Sequence, residues 1–365
     1  MKIAVLLPQS TTHPQLGYDF YLALQQCLQF HAEVIEWHSA SIGFGTNEND
    51  ILSKAEDFIL NKQIDLLVAF VDFPKVECLI NLLETTNTNL FVVNMGAKMP
   101  INWEGHKHLF FLNLQETFLS YMTGQKITQK QAIVMANYYE GGYSPCQIMS
   151  DAFMNKGGEI IYNFIPHTVS PILEMDILDE ILKEQTTETA MLCFYSAPLT
   201  NVFWEEWKKL EHKQLVSIFG SSTFLMESIA VQHDVLIANN SKGFIAWDKT
   251  LDNAVNKEFI QNFEEKYNRS ANCFSALGWD LGIVLNHIIK QNNYQFDELQ
   301  LTRGSVKYDE DFQSIITPAS YLSIQNKQLL IEQLSSEDTY EAWQNFKLAN
   351  QSPNQAGWIN TYLCS

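Results

Sequence analysis

Residues 2–30 read "KIAVLLPQSTTHPQLGYDFYLALQQCLQF". The run from Lys2 to Pro8 is short, apolar and closed by proline, which predicts a strand buried on both faces. A polar turn, Gln9 to Gln15, interrupts it. From Leu16 to Phe30 the large residues recur with a helical period: Tyr18, Tyr21, Leu22, Leu24, Gln25 and Leu28 share or flank one face. A buried strand, a turn and a helix in succession are the first unit of an α/β architecture.

Working outward, the unit recurs. "AEVIEWH" (32–38), "DLLVAFV" (65–71), "LFVVNMG" (90–96) and "KHLFFLNL" (107–114) predict strands. "DILSKAEDFILNK" (50–62) and "PKVECLINLLETT" (74–86) predict helices, the second with its proline suited to the first turn. A second series follows. Helix 116–127, strand 131–137 and helix 142–158 come first, the last ended by Gly157-Gly158. The strands "EIIYNFIP", "TAMLCFYS" and "QLVSIFGSS" then alternate with two more helical segments. Two amphipathic helices, 256–270 and 273–291, and late strands within "GSVKYDEDF" and "ASYLSIQNKQLLIEQL" complete the pattern. Continuous apolar strands separated by helices predict an α/β fold with parallel sheets, and the doubled series predicts two lobes. Residues 336–365 carry Trp343, Phe346, Trp358 and Tyr362. That much aromatic surface predicts a short helix near 337–348, packed on the protein's own surface across the hinge or held by a partner subunit, with self-packing favoured.

Composition narrows the function. A chain of 365 residues has room for two domains. Lys plus Arg total 23 against 42 Asp plus Glu, a net charge of −19. Such a surface repels phosphate backbones and anionic membranes, so no nucleic acid is expected as a partner. No apolar run approaches the ~18 residues of a membrane span, so no direct membrane insertion is expected. The six cysteines form no CxxC and no Cys/His cluster, and are expected to be free thiols; a Cys27–Cys78 bridge is the one pairing the predicted elements leave open. His106 and His108 alternate on one strand without a third ligand nearby, so no metal is expected. With no GxSxG, P-loop, GxGxxG or HExxH pattern, no catalytic residue and no cofactor are expected either. The start of the chain lacks the basic and cleavage regions of a secretory signal and breaks at Pro8. Its location is therefore periplasmic if a signal has been removed ahead of Met1, and cytoplasmic otherwise.

Four stretches carry a resemblance: the opening "IAVLLP" with its Ser/Thr/Pro turn and Gly17; "YEGGYSPCQIMSDAFMNKGGEII"; "NKEFIQNFEEKYNRSANCFSALGWDLGIVLNHII"; and "RGSVKYDED". In this order they resemble the type I periplasmic binding proteins, specifically the leucine/isoleucine/valine-binding group of transporter substrate-binding proteins, over about residues 1–333. The resemblance implies two Rossmann-like lobes joined by a hinge. Lobe one would hold 1–115 and 248–318, lobe two 116–247 and 319–335, with 336–365 as a C-terminal extension. It implies a small-molecule ligand in the cleft, such as an amino-acid derivative, amide or short peptide. A membrane permease of ABC type, or a homo-oligomer, is the further partner. A cytoplasmic sensor or assembly subunit that keeps the fold without transport is the alternative.

Ligands in open parallel sheets sit beyond the carboxyl ends of the strands. On lobe one this points to Ser10, Thr11 and Gly17 in the first turn, Asp72 and Phe73 after the third strand, and Asn94, Gly96 and Ala97 after the fourth. On lobe two it points to Tyr143, Tyr195, Ser196, Ser221 and Ser222. Tyr143 matches the aromatic position of the family's amino-acid binders. Ser222 stands where those binders carry an acid, and "NMGAKMP" lacks their threonine, so free Leu, Ile and Val are expected to bind weakly. Asp72 also reads as a helix N-cap, Tyr143 as packing under a helix start, and Lys98 as a solvated surface residue.

Overall fold

The computed structural model describes all residues except 30–34, 74, 99–102, 104, 167–172, 232–239, 292, 327, 350–361 and 363–365. Its strands in chain order are β1 (Lys2–Leu7), β2 (Glu36–Ser41), β3 (Leu66–Phe70), β4 (Asn89–Asn94), β5 (Leu109–Asn113), β6 (Gln131–Met135), β7 (Glu159–Phe164) and β8 (Thr189–Cys193). There follow β9 (Val216–Gly220), β10 (Ser241–Ile245), β11 (Gln300–Leu301), β12 (Gly304–Ser305), β13 (Lys307–Asp309), β14 (Ser314–Ile316), β15 (Ser320–Gln325) and β16 (Gln328–Gln333).

These strands build two lobes. One sheet runs β13-β14-β5-β4-β3-β1-β2 and the other β16-β15-β10-β9-β8-β6-β7. The apolar strands β3, β4, β5 and β9, rich in Val, Leu, Ile and Phe, and β8 with Ala190, Met191, Leu192 and Cys193, lie at the sheet centres, almost wholly buried. They pair in parallel, with a helix carrying the chain back between β3 and β4 and between β8 and β9, and the 95–108 connection doing so between β4 and β5. The sheets are mostly parallel, as the sequence led one to expect, with antiparallel pairs added at one side of each. β13 with β14, β10 with β15, and β15 with β16 are antiparallel. The links from β13 to β14 and from β15 to β16 are only a few residues long, and a parallel crossover needs a dozen or more.

The "LGWDLG" segment explains how the first sheet is covered. It lies in the helix Cys273–Gln291, which packs on the helix Leu16–Gln29. A Cβ at Gly278 would stand 2.1 Å from the Phe20 carbonyl oxygen, and one at Gly282 2.5 Å from Cys27 Cβ. The two glycines sit four residues apart on one helix face, so only their bare backbone allows this close crossing. Between them Asp280, fully buried, receives the Arg303 Nε–H at 2.8 Å and the Thr302 N–H at 2.7 Å. Arg303 also donates from Nη1 to the Asn113 carbonyl at 2.9 Å, tying this helix to the end of β5.

The helix expected near 337–348 runs Ser336–Ala349 and docks on the protein itself. Trp343 and Phe346 are buried against Phe118, and Phe346 also meets Tyr121. The Trp343 indole N–H donates to Asp309 at 2.8 Å, and Lys347 pairs with the same carboxylate at 2.7 Å. Trp358 falls outside the described residues. Cys27, Cys78, Cys146, Cys193 and Cys273 are unpaired thiols, with Cys27 and Cys78 unbridged. Cys364 lies outside the described residues.

Candidate ligand-binding site

The two lobes meet where the chain crosses between sheets. The first crossing follows β5: Gln115 takes a left-handed φ of 58° and the helix Glu116–Lys126 begins. Its first amides are capped by lobe-one backbone, Glu116 N–H to Met95 O at 3.0 Å and Thr117 N–H to Gly96 O at 2.9 Å. The Gln115 side-chain oxygen accepts the Thr317 N–H at 3.0 Å and the Thr317 hydroxyl, so two crossings are stitched together. Close by, the Ala319 N–H donates to Thr339 of the tail helix at 3.1 Å.

Loops at the carboxyl ends of the strands converge beside these crossings. After β3, Asp72 is buried, and burial raises its carboxyl to about 6 despite the pull of Lys98 and of the Tyr362 N–H. After β4, Lys98 is also buried, its ammonium 5.2 Å from the centre of the Tyr143 ring. Burial lowers its affinity for a proton, and Asp72 partly offsets this. From the first turn His13 reaches across to Glu227, Nε2 to Oε1 at 2.9 Å.

The opposite wall is acidic. Glu116, fully buried, accepts the Thr223 N–H at 3.1 Å and the Thr223 hydroxyl at 3.0 Å. Glu140 lies one turn before Tyr143 and accepts from the Ser196 hydroxyl, while its Oε2 has no partner among the described residues. Burial raises both Glu116 and Glu140 to about 7, against those hydrogen bonds and with the charge of Glu227 adding to the effect. Glu227 also accepts from Thr200 at 2.6 Å. Into this space projects Tyr362. Its N–H donates to Asp72 Oδ2 at 2.6 Å, and its ring meets Tyr143 edge-on with centroids 4.8 Å apart.

No family model and no curated protein matches the chain. Solved structures do. A benzoate-bound ABC-transporter solute-binding protein of Rhodopseudomonas palustris aligns with a TM-score of 0.68 at 17% identity, covering 91% of this chain and 95% of that one. An ABC transporter substrate-binding protein of Sphaerobacter thermophilus aligns with a TM-score of 0.74 at 11% identity, covering 92% and 97%. The branched-chain amino acid transporter substrate-binding protein of Streptococcus pneumoniae, solved with isoleucine, gives 0.66 at 12%, covering 92% and 99%. The chain has the type I periplasmic-binding-protein fold.

Within this fold the residues singled out from sequence divide into those that meet where these loops converge and those that hold the loops in place. Asp72, Tyr143 and Ser196 converge on the acidic wall and Tyr362. Tyr195 is fully buried beside Glu140, its hydroxyl without a partner among the described residues. Asn94 spans two loops, donating to the Val71 carbonyl at 2.9 Å and accepting the Gly96 N–H at 2.8 Å. Gly96 takes a φ of 73°, and a Cβ there would lie 2.8 Å from the Gln115 nitrogen. Ala97 is buried beside it.

Ser10 accepts the His13 N–H at 2.9 Å, Thr11 is exposed, and Gly17 packs under Pro8. Phe73 sets its ring edge-on to Trp103. Ser221 accepts the Phe224 N–H at 3.3 Å, and Ser222 accepts the Ala246 N–H at 2.9 Å, pinning the end of β10. Lys98 is not the solvated surface residue the sequence suggested. Although Ser222 itself is no acid, the opposite wall supplies three in Glu116, Glu140 and Glu227. Glu140 stood inside the "YEGGYS" motif, whose tyrosine and glycines drew the reading instead. Among the described residues no group of His, Cys, Asp and Glu could hold a metal ion, and His106 and His108 bond to Glu84 and Asn89.

Proposed function

We propose that the chain is a solute-binding protein. Its lobes, 1–115 with 248–318 and 116–247 with 319–335, close on a small polar molecule and present it to a membrane permease of ABC type, without catalysing a reaction. The observation that supports this is convergence. Asp72 and Lys98 from one side and Tyr143, Glu116, Glu140 and Thr223 from the other meet at one buried place beside the crossings. Buried carboxylates with few cationic partners are unfavourable on their own, and a ligand bearing N–H donors would relieve them. An amino-acid derivative, an amide or a short peptide carries such donors. Hinge closure follows if the ligand contacts both walls, since it then stabilises the closed state.

The acidic wall removes one ground for expecting branched-chain amino acids to bind weakly. The other remains, because "NMGAKMP" places Lys98 where a ligand hydroxyl partner is usual in the family it resembles. A thermal-shift screen against amino acids, their amides and short peptides tests the reading, because a ligand held by the fold raises the melting temperature by mass action. Hits whose shift disappears in Asp72→Ala and Glu140→Gln support it. Hits unaffected by both substitutions, or no hit with either the full chain or Tyr362→Ala, overturn it.

A further inference from the structure

Tyr362 is 4% exposed although it stands near the end of the chain, beyond the helix that packs beside the crossings. Its contacts are those of a bound molecule rather than of a side chain filling a gap. The backbone N–H makes a 2.6 Å hydrogen bond to a buried carboxylate, Asp72, which is the stronger, charge-assisted kind. The ring meets Tyr143 at an interplanar angle of 75°, the edge-to-face arrangement favoured by aromatic pairs. The buried phenol lies near Thr223, with Glu116, Glu140 and Glu227 around it. One residue therefore touches the loop after β3 of the first sheet and two segments of the opposite wall.

We propose that Tyr362 is an intramolecular occupant of the ligand cleft, standing in for an external ligand of its own chemistry: an aromatic amide or tyrosine-bearing peptide with an N–H donor beside the ring. This rests on the cleft being a ligand site, as proposed above. Asp72 is the acceptor for the ligand N–H, Tyr143 the wall for its ring, and Thr223 the partner for its phenol. Anchoring by the helix Ser336–Ala349 holds Tyr362 at high local concentration. An outside ligand binds only the fraction of molecules whose cleft Tyr362 has left, so its apparent affinity falls by that fraction.

N-acetyl-L-tyrosinamide is the probe, titrated calorimetrically into the full chain and into Tyr362→Ala. The variant is expected to bind it about tenfold tighter or more, while N-acetyl-L-alaninamide binds neither protein. Tyr362→Phe, which keeps the ring and the N–H, is expected to stay within about threefold of the full chain. Equal affinity of the full chain and Tyr362→Ala for the probe, or no binding to the variant, overturns the proposal. Hydrogen exchange on the unsubstituted chain gives a second reading that needs no variant to fold. The Tyr362 amide is expected to be protected, and to lose protection when the probe saturates the cleft. Rapid exchange without the probe overturns the proposal. A screening hit that depends on Asp72 and Glu140, yet binds the full chain and Tyr362→Ala equally, sinks this proposal and leaves the solute-binding reading standing.

Discussion

Two buried acidic places in this molecule look alike by exposure and differ in company. Asp280, between the crossing helices, has Arg303 against it at 2.8 Å and the Thr302 N–H on its other oxygen. Glu116 and Glu140, at the cleft, have hydroxyls and a backbone N–H, each other's neighbour Glu227, and no cation bonded to them among the described residues. A buried carboxylate with a guanidinium is scaffold: its charge is answered within the fold. A cluster of buried carboxylates without a bonded cation leaves its charge to be met by something else, which is the ground for the ligand site proposed above. Asp309 is intermediate, held by Lys347, the Trp343 indole and Gln344.

The contrast breaks most visibly if its paired acid is stripped of its partner. Arg303→Ala should destabilise the fold by about 3–5 kcal/mol in urea unfolding, because Asp280 is then buried and unpaired. Replacing both residues, Asp280→Leu with Arg303→Met, should recover most of that loss. A cost below about 1 kcal/mol for Arg303→Ala would mean that Asp280 is no better answered than the cleft acids. Lys347→Ala should cost less, about 1–2 kcal/mol, because Asp309 keeps three N–H donors, from Trp343, Gln344 and the Phe312 backbone, after the ammonium has gone. If Lys347→Ala proves as costly as Arg303→Ala, neutral donors cannot answer a buried carboxylate here, and the ranking by company fails.

The two places were not equally legible in sequence. Strands such as "DLLVAFV" and "LFVVNMG" announce themselves by being apolar without interruption, and the glycines of "LGWDLG" mark a close approach. Those signals are local, and the sheets and the crossing helix follow from them. The cleft is assembled from a turn at His13, loops at Asp72 and Lys98, a helix start at Glu116, the "YEGGYS" segment, the helix bearing Glu227 and a tail tyrosine. Hydrophobic period locates each of these segments but not their convergence. Lys98 therefore read as surface, and Glu116, Glu140 and Glu227 were not singled out. Tyr362 was noticed only as excess aromatic surface. The antiparallel edge strands were missed for a related reason: alternation of strand and helix predicts the sheet centre, and the late hairpins only append to it.

The smallest expected effect sharpens the comparison from the other side, by removing an unanswered acid. Glu140 accepts from Ser196, faces Glu227, and is raised by burial to about 7 from an ordinary value of 4.5. A carboxyl with a raised value holds its proton more tightly in the fold than in the unfolded chain. Its stability contribution is thus complete below the unfolded value and is lost as pH climbs from about 4.5 to about 7. The difference corresponds to roughly 3 kcal/mol at most. Glu140→Gln keeps the shape and an oxygen to accept the Ser196 hydroxyl, but has no charge to bury. Its melting temperature should match the parent's near pH 5 and exceed it by a few degrees at pH 8. Glu116 titrates in the same window, so Glu116→Gln combined with Glu140→Gln should flatten the profile further. Parallel melting curves for parent and variant from pH 5 to 8 would show that Glu140 is answered after all, and the contrast with Asp280 would collapse.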